Sequence, residues 1–563
     1  MENTSQAEKY FATTHEVENQ AHALENYNVY TSDIALQEAV KREGGAWAEN
    51  ELNTLGAASG TPERILLGFQ ANANKPVFRP QDHYGRRIDQ VDFHPSYHEL
   101  MRIYREENIH ALPWTNPRQG AHVVRTAKAY LHSQVEVGHG CPGTMVFACV
   151  PALKNQPDLA KKWLPLITNE HYDPRNIPAH LKKGVTVGMA MTEKQGGTDV
   201  RANSTRAYPV GVGGPGQEYE LVGHKYFVSG PMGDIFLVLA QTENGISCFL
   251  VPRWRPDGTK NPMQILQLKD KMGNISNASS ETELRGALGW MIGDEGKGIK
   301  TILDMVSLTR FDCMLGSSAM MRSAISQITH HCSQRKAFGK RLVDQPLMQN
   351  VLADLAIESE AALAFTMRMA RSLDNAGMDE HEDNFMRMGT AVGKYWICKR
   401  APGHAYEAME CIGGSAVMET SMMPRLYREA PINAIWEGCG NVQALDVLRA
   451  MSREPASMEA FLTEVNKGKG ADKTFDKFVL GLENEFADLS NMEYRARHIV
   501  EKMGLAIQGS LLIQNDNQLI AEAFCASRLR DNGYLMYGTM PTDIDCKAIV
   551  DRATPKVDWL SYE

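Results

Sequence analysis

Hydrophobic residues are spaced differently in successive parts of the chain. From about Ile34 to His180 they recur at mixed helical intervals broken by Pro and Gly clusters such as NANKPVFRPQDHYG, which predicts helices joined by sizeable loops. Between about Val185 and Leu288 the pattern changes to short apolar runs, EYELVGHKYFVSG, DIFLVLAQ and GISCFLVPRW, bounded by Gly, Pro, Asn and Asp. That spacing predicts an antiparallel sheet or a small barrel. Helical periodicity returns with Ile299, Ile302, Leu303 and Val306, and again with Met348, Val351, Leu352 and Leu355, so long packed helices run to about Met451. Residues 452–563 read as a further helical extension, with NKGKGADKTFDK as a connecting loop. The predicted fold is mainly α with a central antiparallel β domain: a helical domain over 1–183, the β domain over 184–295, a helical bundle over 296–451 and the extension over 452–563.

Composition narrows the function. Charged residues make up 23% and hydrophobic residues 43% of the 563, which suits a folded protein and excludes collagenous, disordered and disulfide-scaffold classes. A net charge of −9 means that a polyanion would have to find a local basic patch against an unfavourable overall field. The 10 cysteines form no C-x-x-C pair, so they read as reduced thiols. The stretch MENTSQAEKYFATTHEVENQ has neither an apolar signal core nor Arg-rich transit character, no apolar run approaches 18 residues, and a cytoplasmic location without membrane contact is expected. No metal site is expected: His330 and His331 are adjacent, about 100° apart on a helix, and H-E-x-x-H, P-loop and G-x-S-x-G patterns are missing. GVGGPG at 211–216 precedes a β run rather than a helix, so it reads as a hairpin turn and not a nucleotide loop.

Three stretches carry candidate chemistry. MTEKQGGTDV (191–200) places Thr192, Gln195, Gly197 and Thr198 in a loop able to offer hydroxyls and backbone N–H groups to a flat polar ring or a pyrophosphate, or to serve as an ordinary turn. KYFVSG (225–230) reads as a strand bearing Phe227, Val228 and Ser229. In INAIWEGCGNVQ (432–443) one acid, Glu437, stands between Trp436 and Gly438. An apolar wall would raise the pKa of that carboxyl and strengthen it as a base; the alternative is a helix-start carboxylate facing free N–H groups.

Together with QRKAFGKRLVDQPLMQ (334–349) and AMECIGGSAVMETSMMPRLYREAPINAIWEGCGNVQALDVLR (408–449), these stretches resemble, in order and spacing, the acyl-CoA dehydrogenase family of flavoproteins; residues 28–450 and the tail beyond resemble its AidB-like, alkylation-response subgroup. The resemblance implies a helical, β, helical order of domains, bound FAD and a homo-oligomer, a dimer of dimers. It implies that Met191, Thr192, Gln195, Gly197 and Thr198 line the flavin edge and that Phe227, Val228 and Ser229 lie over the isoalloxazine. Arg335 would reach the FAD pyrophosphate of a neighbouring subunit and Phe338 its adenine, while Gly413, Gly414, Asn433, Trp436, Gly438 and Asn441 complete the pocket. Glu437 would remove the proton α to a thioester carbonyl as the β-hydride passes to flavin N5. Arg310, in TRFDCMLG, matches an arginine near the acyl-CoA path; pairing with Asp312 or Asp304 is its alternative.

The sequence departs from the family signature at Glu410, Ala416, Val417, Cys439 and Asn441, positions that leave the base in place and alter the pocket near the thioester. The expected function is α,β-dehydrogenation of an acyl-CoA. The alternative is a protective or regulatory flavoprotein that binds acyl-CoA or DNA with little turnover. DNA binding is disfavoured, because 452–563 carries 13 Lys and Arg against 18 Asp and Glu; a basic face would have to be assembled from residues such as Arg495, Arg497, Lys502, Arg528 and Arg530.

Overall fold

The computed structural model describes residues 14–515, 517–530 and 536–558. The N-terminal part folds into α1 (Ile34–Arg42), α2 (Glu49–Ser59), α3 (Pro62–Ala73), α4 (Pro95–Glu106), α5 (Leu112–Thr115), α6 (Ala121–Ser133), α7 (Gly140–Lys154) and α8 (Pro157–Ile167). Helix starts follow local chemistry: Thr61 and His94 cap α3 and α4 through their side chains, each followed by a proline whose missing N–H costs nothing there. One stretch expected to be loop is not. Within NANKPVFRPQDHYG, Val77–Gln81 forms β1, paired antiparallel with β2 (Arg87–Asp92). Periodicity could not reveal it, because β1 leaves nearly all its side chains outside the core. The hairpin reaches the β domain, where Asp89 Oδ1 accepts from Ile265 N at 3.2 Å.

The β domain comprises β3 (Val187–Ala190), β4 (Arg206–Pro209), β5 (Glu218–Ser229), β6 (Ile235–Thr242), β7 (Gly245–Pro252), β8 (Met263–Leu268) and β9 (Ser279–Ile292). Pairing runs β6–β4–β5–β9–β7 and back to β6, closing a small barrel with β8 beside β9. Most pairs are antiparallel; β3 and β4 lie parallel to β6. GVGGPG is the turn between β4 and β5. β6 and β7 are apolar on both faces for a reason of register: Phe236, Val238, Phe249 and Val251 fill the barrel, while Ile235, Leu237, Cys248 and Leu250 join the helical core.

The bundle follows with α9 (Gly298–Gln334), the two-residue strands β10 (Lys336–Ala337) and β11 (Lys340–Arg341), α10 (Pro346–Asn375), α11 (Glu380–Ile412), α12 (Met423–Glu429), α13 (Ile432–Ile435) and α14 (Gly440–Arg453). Leu303, expected on the core face of α9, is 45% exposed. The extension forms α15 (Pro455–Asn466), α16 (Lys473–Ala487), α17 (Met492–Gln514), α18 (Gln518–Arg528) and α19 (Cys546–Ala553), with NKGKGADKTFDK lying between α15 and α16 and running into the latter. It is no appendage, since one continuous apolar core runs from Val29 to Ala553. All 10 cysteines are free, and among the described residues no helix is long and apolar enough to cross a membrane.

A buried ion cluster fastens the extension to the bundle. Arg368 donates to Glu382 at 2.8 and 3.0 Å, to Glu464 at 2.9 Å and to Ser372 at 2.7 Å. Burial pushes the Glu464 carboxyl up, but Arg368 and Lys467 outweigh it and hold it at about 2. Its folded-state value lies below the ordinary one, so its contribution is complete above about pH 4.5 and is lost as pH falls toward 2. Glu464→Ala should lower stability by about 1.5–3 kcal/mol in urea unfolding at neutral pH, because Arg368 loses one charge-assisted bond while keeping those to Glu382. Glu464→Gln should show a shallower loss of stability between pH 5 and 3 than the parent protein.

Candidate active site

α13 stops at Ile435 and Trp436 leaves it extended. Glu437 then takes φ +58° and Gly438 φ +93° before α14 begins at Gly440. A left-handed glutamate costs on the order of 1–2 kcal/mol and persists only where its surroundings enforce it. Gly438 is required sterically as well, since a Cβ there would stand 2.8 Å from Gln443 Nε2 and 2.9 Å from Val442 Cγ1.

The enforcing bonds all go to the turn's carbonyls. Lys394 Nζ, buried on α11, donates to Trp436 O at 2.7 Å and Gly438 O at 2.6 Å. Arg310 Nε, on α9, donates to Glu437 O at 3.0 Å, and Gln443 Nε2 to Glu437 O and Gly438 O at 3.1 and 3.0 Å. Arg310 also meets Asp446 at 3.0 Å. Neither expected partner of Arg310 is used: Asp312 belongs to Arg125 and Thr144, and Asp304 to Asn155. In this structure Arg310 shapes the turn that presents Glu437.

With the cations occupied by carbonyls, the Glu437 carboxylate keeps one hydrogen-bond donor, Thr309 Oγ1, at 2.7 Å. Burial raises its pKa above the ordinary carboxylate value, and Thr309, Arg310 and Lys394 pull it back without reversing the shift. The helix-start alternative is not adopted, because Cys439 is the N-cap of α14 and makes no side-chain cap bond. Asn433 is buried and accepts from Trp436 Nε1 at 3.0 Å while donating to Ser317 at 3.2 Å, so its amide sets the indole's position.

The 191–198 loop is held from beneath by a residue the sequence reading passed over. Glu193, fully buried, accepts from Lys225 Nζ at 2.8 Å, Ser204 N at 2.7 Å and Thr205 N at 3.1 Å. Gln195, though exposed, donates its amide to the same carboxylate at 2.7 Å, and Lys194, Gly197, Thr198 and Asp199 are exposed beside it. The C=O of Met191 accepts from Asn203, and the C=O of Thr192 from Tyr226 N at 2.8 Å, docking the loop on β5. Along β5, Val228 faces the barrel core, whereas Phe227 is 43% exposed and Ser229 points outward to Ser279 Oγ at 3.0 Å. Any side-chain contact from this strand to a ligand therefore comes from Phe227 and Ser229, not from Val228.

Cys141, at the start of α7, joins these two halves. Its thiol is pushed up to about 12 by burial, with Lys271, Glu437, its hydrogen-bond partner Ser229 and Glu429 all within electrostatic reach. Glu437 and Ser229 thus both lie within electrostatic reach of one thiol. Gly413 (φ +81°) and Gly414 end α11 with nothing within 4 Å of where a Cβ would stand, and Asn441 is exposed on the first turn of α14. Arg335 and Phe338 lie elsewhere in the chain: Arg335 donates to Asn19 O, and Phe338 is 100% exposed at the tip of the β10–β11 hairpin with φ +53°. Lys394 carried one legible signal, a lone cation in the apolar run TAVGKYWIC. Thr309, Glu193, Gln443 and Cys141 carried none.

Comparisons with known proteins match the order of the domains. Residues 19–174 match the adaptive response protein AidB N-terminal domain, 188–287 the acyl-CoA dehydrogenase middle domain and 296–452 the acyl-CoA dehydrogenase C-terminal domain. The chain is 43% identical to AidB of Escherichia coli (strain K12) over 522 residues, covering 92% of this chain and 95% of that protein. It is 30% identical to acyl-CoA dehydrogenase family member 11 of Caenorhabditis elegans over 491 residues, 84% of this chain and 78% of that one. Among solved structures, C. elegans ACDH-11 in complex with C11-CoA superposes with a TM-score of 0.82 at 26% identity, covering 92% of this chain and 94% of that one. The Bacillus anthracis acyl-CoA dehydrogenase complexed with FAD shares the fold, with a TM-score of 0.64 at 16% identity over 92% and 87% of the two chains.

The Thr309 hydroxyl stabilises the ionised Glu437 carboxyl, so removing it should move the titration to higher pH. Thr309→Val, followed by infrared difference spectroscopy with Glu437→Gln as the blank, is expected to show a protonated carboxyl persisting to a higher pH than in the parent. Coincident titrations in the two proteins would mean that the bond does not act on the acid.

Proposed function

The chain belongs to the acyl-CoA dehydrogenase family, in its AidB branch, and we propose that it binds FAD and removes the α and β hydrogens of an acyl-CoA thioester with Glu437 as the base. The observation that carries this reading is a half-buried carboxyl with a raised pKa, held on a strained turn and bonded, among the described residues, to the Thr309 hydroxyl and to no cation.

The residues fit a flavin. Phe227 offers an aromatic face, Ser229 an outward hydroxyl, and Gly197, Gly413 and Gly414 an approach free of side chains. At the hairpin tip Phe338 and Gly339 both have positive φ, the geometry of a tight turn that favours Asn-Gly. A phenylalanine there bears backbone strain and full exposure at once, which suits a ring made to be covered by a purine of a neighbouring subunit. Arg335 beside it supplies a guanidinium fork for a pyrophosphate. This favours a homo-oligomer, a dimer of dimers, in which each crevice is completed from a second copy. When bound, FAD supplies the acceptor for the β-hydride.

Glu437 takes the proton from the α carbon. Its burial makes it a stronger base than a solvated glutamate, and Thr309 keeps enough of it ionised to act. The indole of Trp436 is fixed by Asn433. An acyl-CoA ligand is further supported by the C11-CoA complex of the C. elegans relative. A cytoplasmic location remains our reading of the sequence.

Nucleic-acid binding by the extension is disfavoured on charge. Of the five candidate cations, Arg495 and Lys502 are paired with Glu485, and Arg528 is nearly buried against Asp354 and Glu358. Arg497 and Arg530 alone make no general grip.

Purified protein should be yellow, and anaerobic titration with a panel of acyl-CoAs should bleach the flavin. Glu437→Gln should retain the flavin and bleach about 10²–10⁴-fold more slowly. Flavin that no acyl-CoA bleaches would remove the dehydrogenase reading and leave that of a binding protein.

A further inference from the structure

The loop joining β8 to β9 places a lysine behind the outward hydroxyl of β5. Lys271 Nζ donates to Asn277 O at 2.7 Å and to Ser279 Oγ at 2.9 Å, and Ser279 Oγ lies 3.0 Å from Ser229 Oγ. Ser229 and Ser279 are register partners across β5 and β9, so strand pairing fixes the hydroxyl-to-hydroxyl step. The loop is pinned on both sides, by Asn274 N donating to Glu429 at 2.6 Å and by Ser276 Oγ donating to Glu136 at 2.9 Å.

Lys271 differs from its neighbours in being unneutralised. Lys269 is paired with Glu281 at 2.6 Å and Asp270 with Lys75 at 2.8 Å, whereas among the described residues no carboxylate lies within ion-pair distance of Lys271. An ammonium donates and cannot accept. With an ammonium proton on Ser279 Oγ, the Ser279 hydroxyl is free to donate to Ser229, and Ser229 to donate onward toward Cys141. In that arrangement one charge orients two hydroxyls.

We propose that Lys271 is a positioning residue that acts through Ser279 to present Ser229 as a hydrogen-bond donor at the flavin edge and to hold an uncompensated positive charge behind it, favouring the two-electron-reduced, anionic flavin over the oxidised neutral form. The proposal rests on the FAD reading above and goes beyond it by assigning the redox poise to a residue outside the family motifs quoted for the site. Burial lowers the Lys271 ammonium to about 8, and Cys141 and Glu429 oppose that shift. The titratable groups facing it are Cys141 on α7, Glu429 on α12 and, beyond Cys141, Glu437. The charge, and with it the effect, is present below that value and fades as pH rises through it.

The test is the flavin midpoint potential, measured by dye equilibration on FAD-loaded wild type, Lys271→Met, Lys271→Arg and Ser279→Ala. Lys271→Met should shift the reduced-to-oxidised ratio at fixed potential at least tenfold toward oxidised flavin, about 30 mV for a two-electron couple. Ser279→Ala should shift it in the same direction by less, and Lys271→Arg should keep most of the wild-type value. The gap between wild type and Lys271→Met should narrow from pH 7 to pH 9. A reduced-to-oxidised ratio within twofold of wild type at the same potential in flavin-loaded Lys271→Met, or in Ser279→Ala should the methionine variant fail to fold, overturns the proposal. Absence of flavin from wild-type protein sinks the parent reading and this one with it, whereas flavin-loaded variants at the wild-type potential sink this inference alone.

Discussion

The site depends on a buried ammonium spending its hydrogen bonds on backbone. Lys394 bridges the carbonyls on either side of Glu437, and Arg310 takes the carbonyl of Glu437 itself. Had either cation bonded the carboxylate, a charge-assisted pair would have held its pKa below the ordinary range and disarmed it as a base. Directed at carbonyls, the same cations hold the acid in a left-handed conformation and act on its charge only from a distance, so burial decides the sign of the shift. Positive charge close to an acid need not weaken it as a base; what matters is which atoms it bonds.

Two secondary-structure choices set the position of β5 and the 191–198 loop. Because β6 and β7 are apolar on both faces, the barrel has an interior of its own and is also welded to the helical core. β5 needs only one buried face, so Val228 anchors it while Phe227 and Ser229 lie on the opposite face, outside the barrel core. The Glu193–Lys225 pair then fastens the 191–198 loop to the same strand, in a position where neither charge reaches solvent. Such a pair is a weak source of net stability, but breaking it strands a charge, so it fixes geometry.

The order helical, β, helical was legible because each period is imposed by a buried face, and the motifs around Glu437, Phe227 and Phe338 were legible as residue types in a fixed order. The hairpin Val77–Asp92 was not, because β1 turns outward, and one-sided burial is the only signal that periodicity carries. Gln195 was read as a ligand contact from its chemistry and Asn433 from the resemblance, and spacing gave no sign of the bonds their amides make, to Glu193 in one case and to Ser317 and Trp436 in the other. Thr309 and Arg310 show the same limit. Two adjacent residues on α9 meet the carboxylate and the carbonyl of one acid over a hundred positions away, and spacing along a chain carries no trace of such a meeting.

The extension is the part whose purpose the sequence left most open, and its packing gives it one. Lys394, Tyr395 and Trp396 are consecutive on α11. Lys394 faces the Glu437 turn, while Trp396 on the other side donates to Gln508 of α17 at 2.8 Å, against Gly504, where a Cβ would stand 2.6 Å from the indole. Glycine at 504 lets α17 come close enough for that buried bond to form, and Arg368 draws α15 onto the same bundle through Glu464. The extension thus braces the turn of α11 that carries the lysine on which the left-handed acid depends. Its acidic surface and its paired arginines are what a structural brace of that kind would have, with its charges used inward and none gathered for a polyanion.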